Sequence, residues 1–251
     1  MRVTPEDGIV VVTGAGSGLG RALAHVFAHK GFAVAGLGRR AEALEETAAL
    51  CPGFFAVPVD IADAGAVRAA FATLPAPAVL VNNAAIYPRR DLLAETGESW
   101  AETVNSNLNG LVNCTLAALG PMVQRGQGRI LNVATFADLN PLPGAAAYSV
   151  SKGAARIFTR ALIADITDRF PGIVVSDWMP GMLATKMGIR DGLDPATAAA
   201  WGATLALLRD PSLTGSTFEM DREILPPRGL KNRVKDALLL RRRRPRVLSD
   251  L

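Results

Sequence analysis

The stretch Ala145-Ala146-Ala147-Tyr148-Ser149-Val150-Ser151-Lys152 sets a phenol and an ammonium four residues apart. On a helix that spacing brings the two side chains to one face, one turn apart. A neighbouring positive charge favours phenolate, so the Tyr148 pKa is expected to fall toward the working range of a general acid or base. A Tyr and a Lys at this spacing are also common surface neighbours. The pair gains meaning only from the elements that position it.

Those elements alternate. Apolar, β-rich runs occur at Ile9–Val12, Ala33–Ala35, Phe54–Val57, Val79–Val81, Ile130–Val133, Ile173–Val175 and Ser216–Met220. Ala-rich helical stretches lie between them, near 18–30, 41–50, 63–74, 97–123, 145–170 and 195–209. Continuous apolar strands separated by helices predict an α/β fold: a doubly wound, mostly seven-stranded parallel sheet with helices on both faces. Its ligand would sit outside the carboxyl ends of the strands. The first βα turn, Thr13-Gly14-Ala15-Gly16-Ser17-Gly18-Leu19-Gly20, follows a strand and opens a helix. Gly14 allows the tight turn, while Gly18 and Gly20 let backbone approach a pyrophosphate and helix approach sheet. Ser17 and Leu19 belong to the same cradle.

The spacing Gly14-x-x-x-Gly18-x-Gly20, followed later by Tyr148-x-x-x-Lys152, resembles the short-chain dehydrogenase/reductase family, from residue 8 to about 221. The resemblance implies a Rossmann fold over 1–221, with 222–251 as a basic extension. It assigns Asp60 and Ile61 to the adenine, and Asn83 and Ala84 of Asn82-Asn83-Ala84-Ala85 to the cofactor loop after the fourth strand. Pro180, Gly181 and Thr185 would cradle the nicotinamide. Asn107 would hold a proton-relay water, with Asn105 and Asn109 as close competitors that fit the spacing to Trp100 and Gly110 less well. A homodimer or homotetramer is also implied.

One catalytic position departs from the family pattern. Thirteen residues before the tyrosine, where the family usually has serine, stands Thr135. Its hydroxyl can still donate to a carbonyl, while its methyl stiffens χ1 and narrows the pocket. The competing reading is that Thr135 merely fits a strand end and activity is lost. On the first reading Tyr148 exchanges a proton with the substrate oxygen and Thr135 steadies the developing oxyanion. Lys152 tunes the tyrosine and holds the ribose.

Cofactor choice is read after the second strand. A site for the unphosphorylated dinucleotide usually has a carboxylate there for the ribose 2′-hydroxyl. Here Gly38 takes that position and Arg39 follows, a guanidinium suited to a phosphate. NADP(H) is expected, although both Arg39 and Arg40 could simply be solvated.

Only residues 188–194 separate Thr185-Lys186-Met187 from the next helix, which predicts a short lid and an open cleft. Tyr87, Phe136, Leu142, Met182 and Met187 are candidate substrate walls. A bulky, polycyclic or carrier-tethered carbonyl compound would suit such a cleft.

Charge is unevenly spread. From Arg222 onward stand ten Lys/Arg and three Asp/Glu, while the preceding residues hold 17 basic and 20 acidic ones. The body is therefore slightly acidic, and a nucleic-acid-binding domain is not expected. The tail could form an amphipathic helix with Leu230, Val234, Ala237 and Leu238 on one face, running into Arg241–Arg244. It could dock on the body or a neighbouring subunit, fray, touch anionic membrane, or meet an acidic carrier protein. No run is long enough to span a bilayer, and no cationic-then-apolar leader opens the chain, so a cytoplasmic location is expected. Cys51 and Cys114 have neither metal nor redox spacing, and no metal site is expected. Two functions remain at this level: an NADP(H)-dependent carbonyl reductase, acting on a ketone or ketoacyl group, or alcohol dehydrogenase, and a non-catalytic NADP sensor whose basic tail meets a partner.

Overall fold

A computed structural model of the protein describes residues 2–226 and 244–250. Eight strands form one sheet in the order β3-β2-β1-β4-β5-β6-β7-β8. They are β1 (Ile9–Thr13), β2 (Val34–Gly38), β3 (Phe54–Pro58), β4 (Pro77–Asn82), β5 (Gly128–Val133), β6 (Ile173–Met179), β7 (Thr217–Glu219) and β8 (Arg222–Ile224). The first seven run parallel, as the alternation predicts. The eighth, not expected from the sequence, turns back antiparallel on β7, with Phe218 opposite Glu223. The turn between them puts Met220 at φ 52.

Helices α1 (Gly18–His29), α2 (Ala41–Ala48), α3 (Ala64–Thr73), α4 (Gly97–Val104), α5 (Gly110–Arg125), α6 (Ala146–Ile166) and α7 (Pro195–Leu207) connect the strands. Alternation along the strands builds two cores. Val10 and Val12 face Leu23 and Phe27 of α1 and Ala203 of α7. Val11 faces the other way, into a layer with Val67 of α3, Cys114 of α5 and Leu162 of α6. On the α1/α7 side of the sheet the fully buried Arg129 spends its guanidinium on the carbonyls of Ile130, Val174 and Leu205 and on Ser176 Oγ.

Two further differences bear on function. The single helix expected over 97–123 is interrupted by a π-helical segment, Asn105–Asn109. Such segments are rare and disturb the helical register locally. The chain end, in turn, returns to the sheet. Val247 bridges to Arg222, Arg246 makes a forked ion pair with Glu223 at 2.8 Å, and Leu248 is buried in the α1/α7 core. The expected amphipathic helix of the tail and Arg241–Arg243 lie outside the described residues. Among the described residues no helix is long and apolar enough to cross a membrane.

Candidate active site

The strand order reverses between β1 and β4, and there the two chain segments leave the sheet in opposite directions. A cleft of about 790 Å³ opens at this edge, within the range of small-molecule sites. One end is lined by Gly14, Ser17, Gly18, Leu19, Gly20, Arg39, Asp60 and Ile61. The other is lined by Ala84, Tyr87, Thr135, Phe136, Leu142, Tyr148, Lys152, Pro180, Gly181, Met182, Thr185 and Met187. Asn83 lines the cleft as well. Thus the expected residues converge, apart from Asn107.

The glycine turn fits a dinucleotide. Gly14 and Gly18 adopt φ 69 and 51, a region that penalises side chains. A Cβ at Gly20 would run into the Gly14 carbonyl oxygen, and one at Gly18 would meet Thr185 Cγ2 at 3.2 Å. Ser17 caps α1 without using its side chain, so its hydroxyl and the unpaired first-turn N–H groups face the cleft free for an anion. Asn83 serves this turn from behind. Its Nδ2 donates to the Thr13 carbonyl at 2.8 Å, and its own N–H donates to Thr13 Oγ1 at 3.0 Å. Asp60 lies in the loop just beyond β3, whose pairing with β2 stops at Pro58. There it accepts from Ala62 N at 3.0 Å. Gly38 leaves the second-strand position without a carboxylate, and Arg39 and Arg40 are exposed at the cleft with no ion pair among the described residues.

At the catalytic end, Thr135 follows β5 and its Oγ1 accepts from Ala137 N at 3.2 Å. That contact occupies an acceptor site and leaves the hydroxyl proton to donate toward the Tyr148 oxygen. Arg156 staples the segment to α6. It pairs with Asp138 at 2.5 Å and donates to the Thr135 carbonyl at 2.8 Å. Arg156 was not anticipated, yet it stands four residues after Lys152 and so continues the same helical face.

The electrostatics overturn one expectation. Burial pushes the Tyr148 phenol above its ordinary value; hydrogen bonding with Thr135 pulls back, and Tyr87 and Asp138 add to the rise. Lys152 does not lower it, because its ammonium is directed elsewhere, donating to the Val133 carbonyl at 2.9 Å. Burial lowers Lys152 itself to about 8, against the support of Asp177 and Asp138. Asp177 is raised by burial to about 6 despite a 2.9 Å hydrogen bond from Thr159.

Asn107 sits behind the cleft. Its Oδ1 accepts from Ile86 N at 2.7 Å, while its Nδ2 donates to the Ile86 carbonyl at 2.9 Å and to Ser151 Oγ at 3.0 Å. The side chain thereby clamps the segment after β4 onto α6. Its neighbour Ser106, which the sequence did not single out, lines the cleft instead. Asn105 and Asn109 are paired with each other at 2.8 Å.

The segment that follows β6 forms a small knot. Leu183 bridges Leu193, and the Leu183 carbonyl accepts from Thr185 N and Ile189 N, both at 3.0 Å. Gly188 N donates to Thr185 Oγ1 at 3.1 Å. This compactness matches the short lid expected from the spacing.

Comparison with known proteins agrees with this geometry. Residues 8–194 match the family described as short chain dehydrogenase. A sulfoacetaldehyde reductase of Chromohalobacter salexigens is 35% identical over 79% of this chain and 82% of its own. A 2-(R)-hydroxypropyl-CoM dehydrogenase of Xanthobacter autotrophicus is 37% identical over 71% of this chain and 76% of its own. A solved structure described as a short chain dehydrogenase/reductase family protein superimposes with TM-score 0.79 at 30% identity, covering 88% of this chain and 97% of the other.

Proposed function

The chain belongs to the short-chain dehydrogenase family, nicotinamide-dependent oxidoreductases of carbonyl and alcohol groups, and from that premise we propose that it is an NADP(H)-dependent carbonyl reductase. The observation that carries the reading is Tyr148, Thr135 and Lys152 lining one end of a cleft whose other end is the glycine cradle. When bound, the nicotinamide supplies the hydride. The remaining work belongs to the protein. Tyr148 gives its proton to the substrate oxygen as charge builds there, and the Thr135 hydroxyl supports the same oxygen. The raised phenol pKa keeps Tyr148 protonated at neutral pH, which suits a proton donor and hence reduction. Lys152, charged below about 8, would hold the ribose hydroxyls once drawn from the Val133 carbonyl.

The phosphorylated cofactor is favoured by the missing carboxylate at Gly38 and by two guanidinium groups at the cleft, Arg39 and Arg40, that have no ion pair among the described residues. Reductases and dehydrogenases among the relatives fit either direction of the same chemistry. The test is a carbonyl panel with NADPH and NADH, beside Tyr148→Phe. The reading stands if reduction requires Tyr148 and prefers NADPH. Binding of NADPH with no turnover of any carbonyl compound would favour the sensor instead.

A further inference from the structure

The cleft also carries information about substrate charge, and this inference rests on the reductase reading. Its one acidic lining residue, Asp60, belongs to the glycine-turn end. At the catalytic end the charged lining residues are Arg89, Lys152 and Lys186, all basic. Lys152 is buried and committed to Val133. Arg89 is exposed, and no ion pair is found for it among the described residues. Its neighbours differ: Arg90 pairs with Glu95 at 2.9 Å, and Arg156 with Asp138.

Arg89 is also positioned. Its guanidinium carbon lies 5.8 Å from the centre of the Tyr87 ring, and Tyr87 stacks on Tyr148 with centroids 4.5 Å apart. The backbone next to it is tied across the cleft mouth by Arg90 N to the Gly144 carbonyl at 3.0 Å. A guanidinium resting on a ring face keeps its N–H edge free, and that edge matches the two oxygens of an acid group. The anion site is thus two ring steps from the phenol that protonates the carbonyl. Leu142 and Met182, both half-exposed, line the same cleft.

We propose that the substrate is a carbonyl compound bearing its own oxyanion, a carboxylate or sulfonate a few bonds from the reacting carbonyl, and that Arg89 binds this group. A negative charge there finds, among the described residues, a cation without an ion pair and no carboxylate lining that end of the cleft. A substrate ammonium would find the reverse.

The experiment uses the full chain with NADPH and matched pairs: acetoacetate against methyl acetoacetate, and succinic semialdehyde against its methyl ester. Sulfoacetaldehyde serves as the sulfonate arm and acetoacetyl-coenzyme A as an arm whose anions are remote. The expected result is a preference in kcat/KM for each acid over its ester of about tenfold or more, mostly through KM. Arg89→Ala should bring the ratio near unity, Arg89→Lys should keep part of it, and added salt should shrink it. Equal use of acid and ester, or a ratio that survives Arg89→Ala, overturns the proposal. So does a marked preference for acetoacetyl-coenzyme A that Arg89→Ala leaves intact. Calorimetric titration of acetoacetate into the NADP-loaded protein separates the two readings. Arg89-dependent binding without turnover would keep the anion site and remove the reductase. Turnover of esters and acids alike would do the opposite, and neither turnover nor Arg89-dependent binding would remove both.

Discussion

The Lys152 ammonium donates to the Val133 carbonyl at 2.9 Å, so the lysine of the catalytic pair is anchored to the end of β5 and not to the tyrosine one turn before it. Its charge survives burial because Asp177 and Asp138 oppose the loss.

Protonation of Lys152 should therefore set the alkaline limb of activity. Its pKa in the folded protein is about 8, and the charged form that would hold the ribose exists below that value. We expect kcat/KM for carbonyl reduction to be level below pH 8 and to fall above it, measured from initial rates across pH 6–10. Lys152→Met should lower kcat/KM by about 100-fold or more and abolish this limb.

The role of Thr135 is separable from its shape. Thr135→Ser keeps both the acceptor contact to Ala137 and the hydroxyl proton, so activity should stay within about threefold of the parent. Thr135→Val keeps the volume and loses both, and kcat should drop about 100-fold. A valine variant as active as the parent would remove the hydroxyl from the chemistry.

Asn107 should act on stability as well as rate. Removing its amide by Asn107→Ala leaves the Ile86 N–H and carbonyl without their buried partner, an expected loss of about 2–4 kcal/mol in urea unfolding. An accompanying fall in kcat would reflect displacement of the Tyr87 segment. No loss of stability would show that water replaces the clamp.

Arg39 is the test of cofactor choice. Arg39→Glu puts a carboxylate beside Gly38, where it would repel a ribose phosphate and accept from a 2′-hydroxyl. The NADPH Kd should rise about 100-fold while NADH binding strengthens, read by fluorescence titration.

Asp177 gives a stability signature. Its folded pKa is about 6 against an ordinary 3.8, so the native state holds the proton more tightly than the unfolded chain. Between those values the native protein binds more protons, so this group's contribution to stability falls as pH rises from about 4 to 6 and then levels off. Asp177→Asn removes that penalty and should gain about 2 kcal/mol on the parent between pH 4 and pH 7. It also removes support for the Lys152 charge, so the alkaline limb of activity should move to lower pH.

Most of the scaffold was legible because parallel strands buried on both faces leave continuous apolar runs, as Val79–Val81 and Ile173–Val175 do. Arg222–Ile224 was missed because three residues with alternating charge carry no such signal; its pairing comes from the turn at Met220. The site was legible where backbone dictates residue type, as at Gly14, Gly18 and Gly20. It was not legible where function depends on which way a side chain turns. Tyr148 and Lys152 are correctly spaced, but the sequence cannot say that Lys152 reaches Val133 and that burial outweighs charge at the phenol. The π segment belongs to the same class, since neither the slip in helix register at Asn105–Asn109 nor the contact of Asn107 with Ile86 shows in residue spacing.

The return of Arg246, Val247 and Leu248 to the sheet bears on how the basic stretch can be studied. A stop codon after Pro226 would delete the arginines and also pull a core side chain and a forked ion pair from the body. Loss of vesicle or partner binding in such a truncation would be confounded by a loosened domain. Charge reversal in place, across Arg228 to Arg243 with Arg244–Asp250 intact, asks the same question while the clasp stays shut.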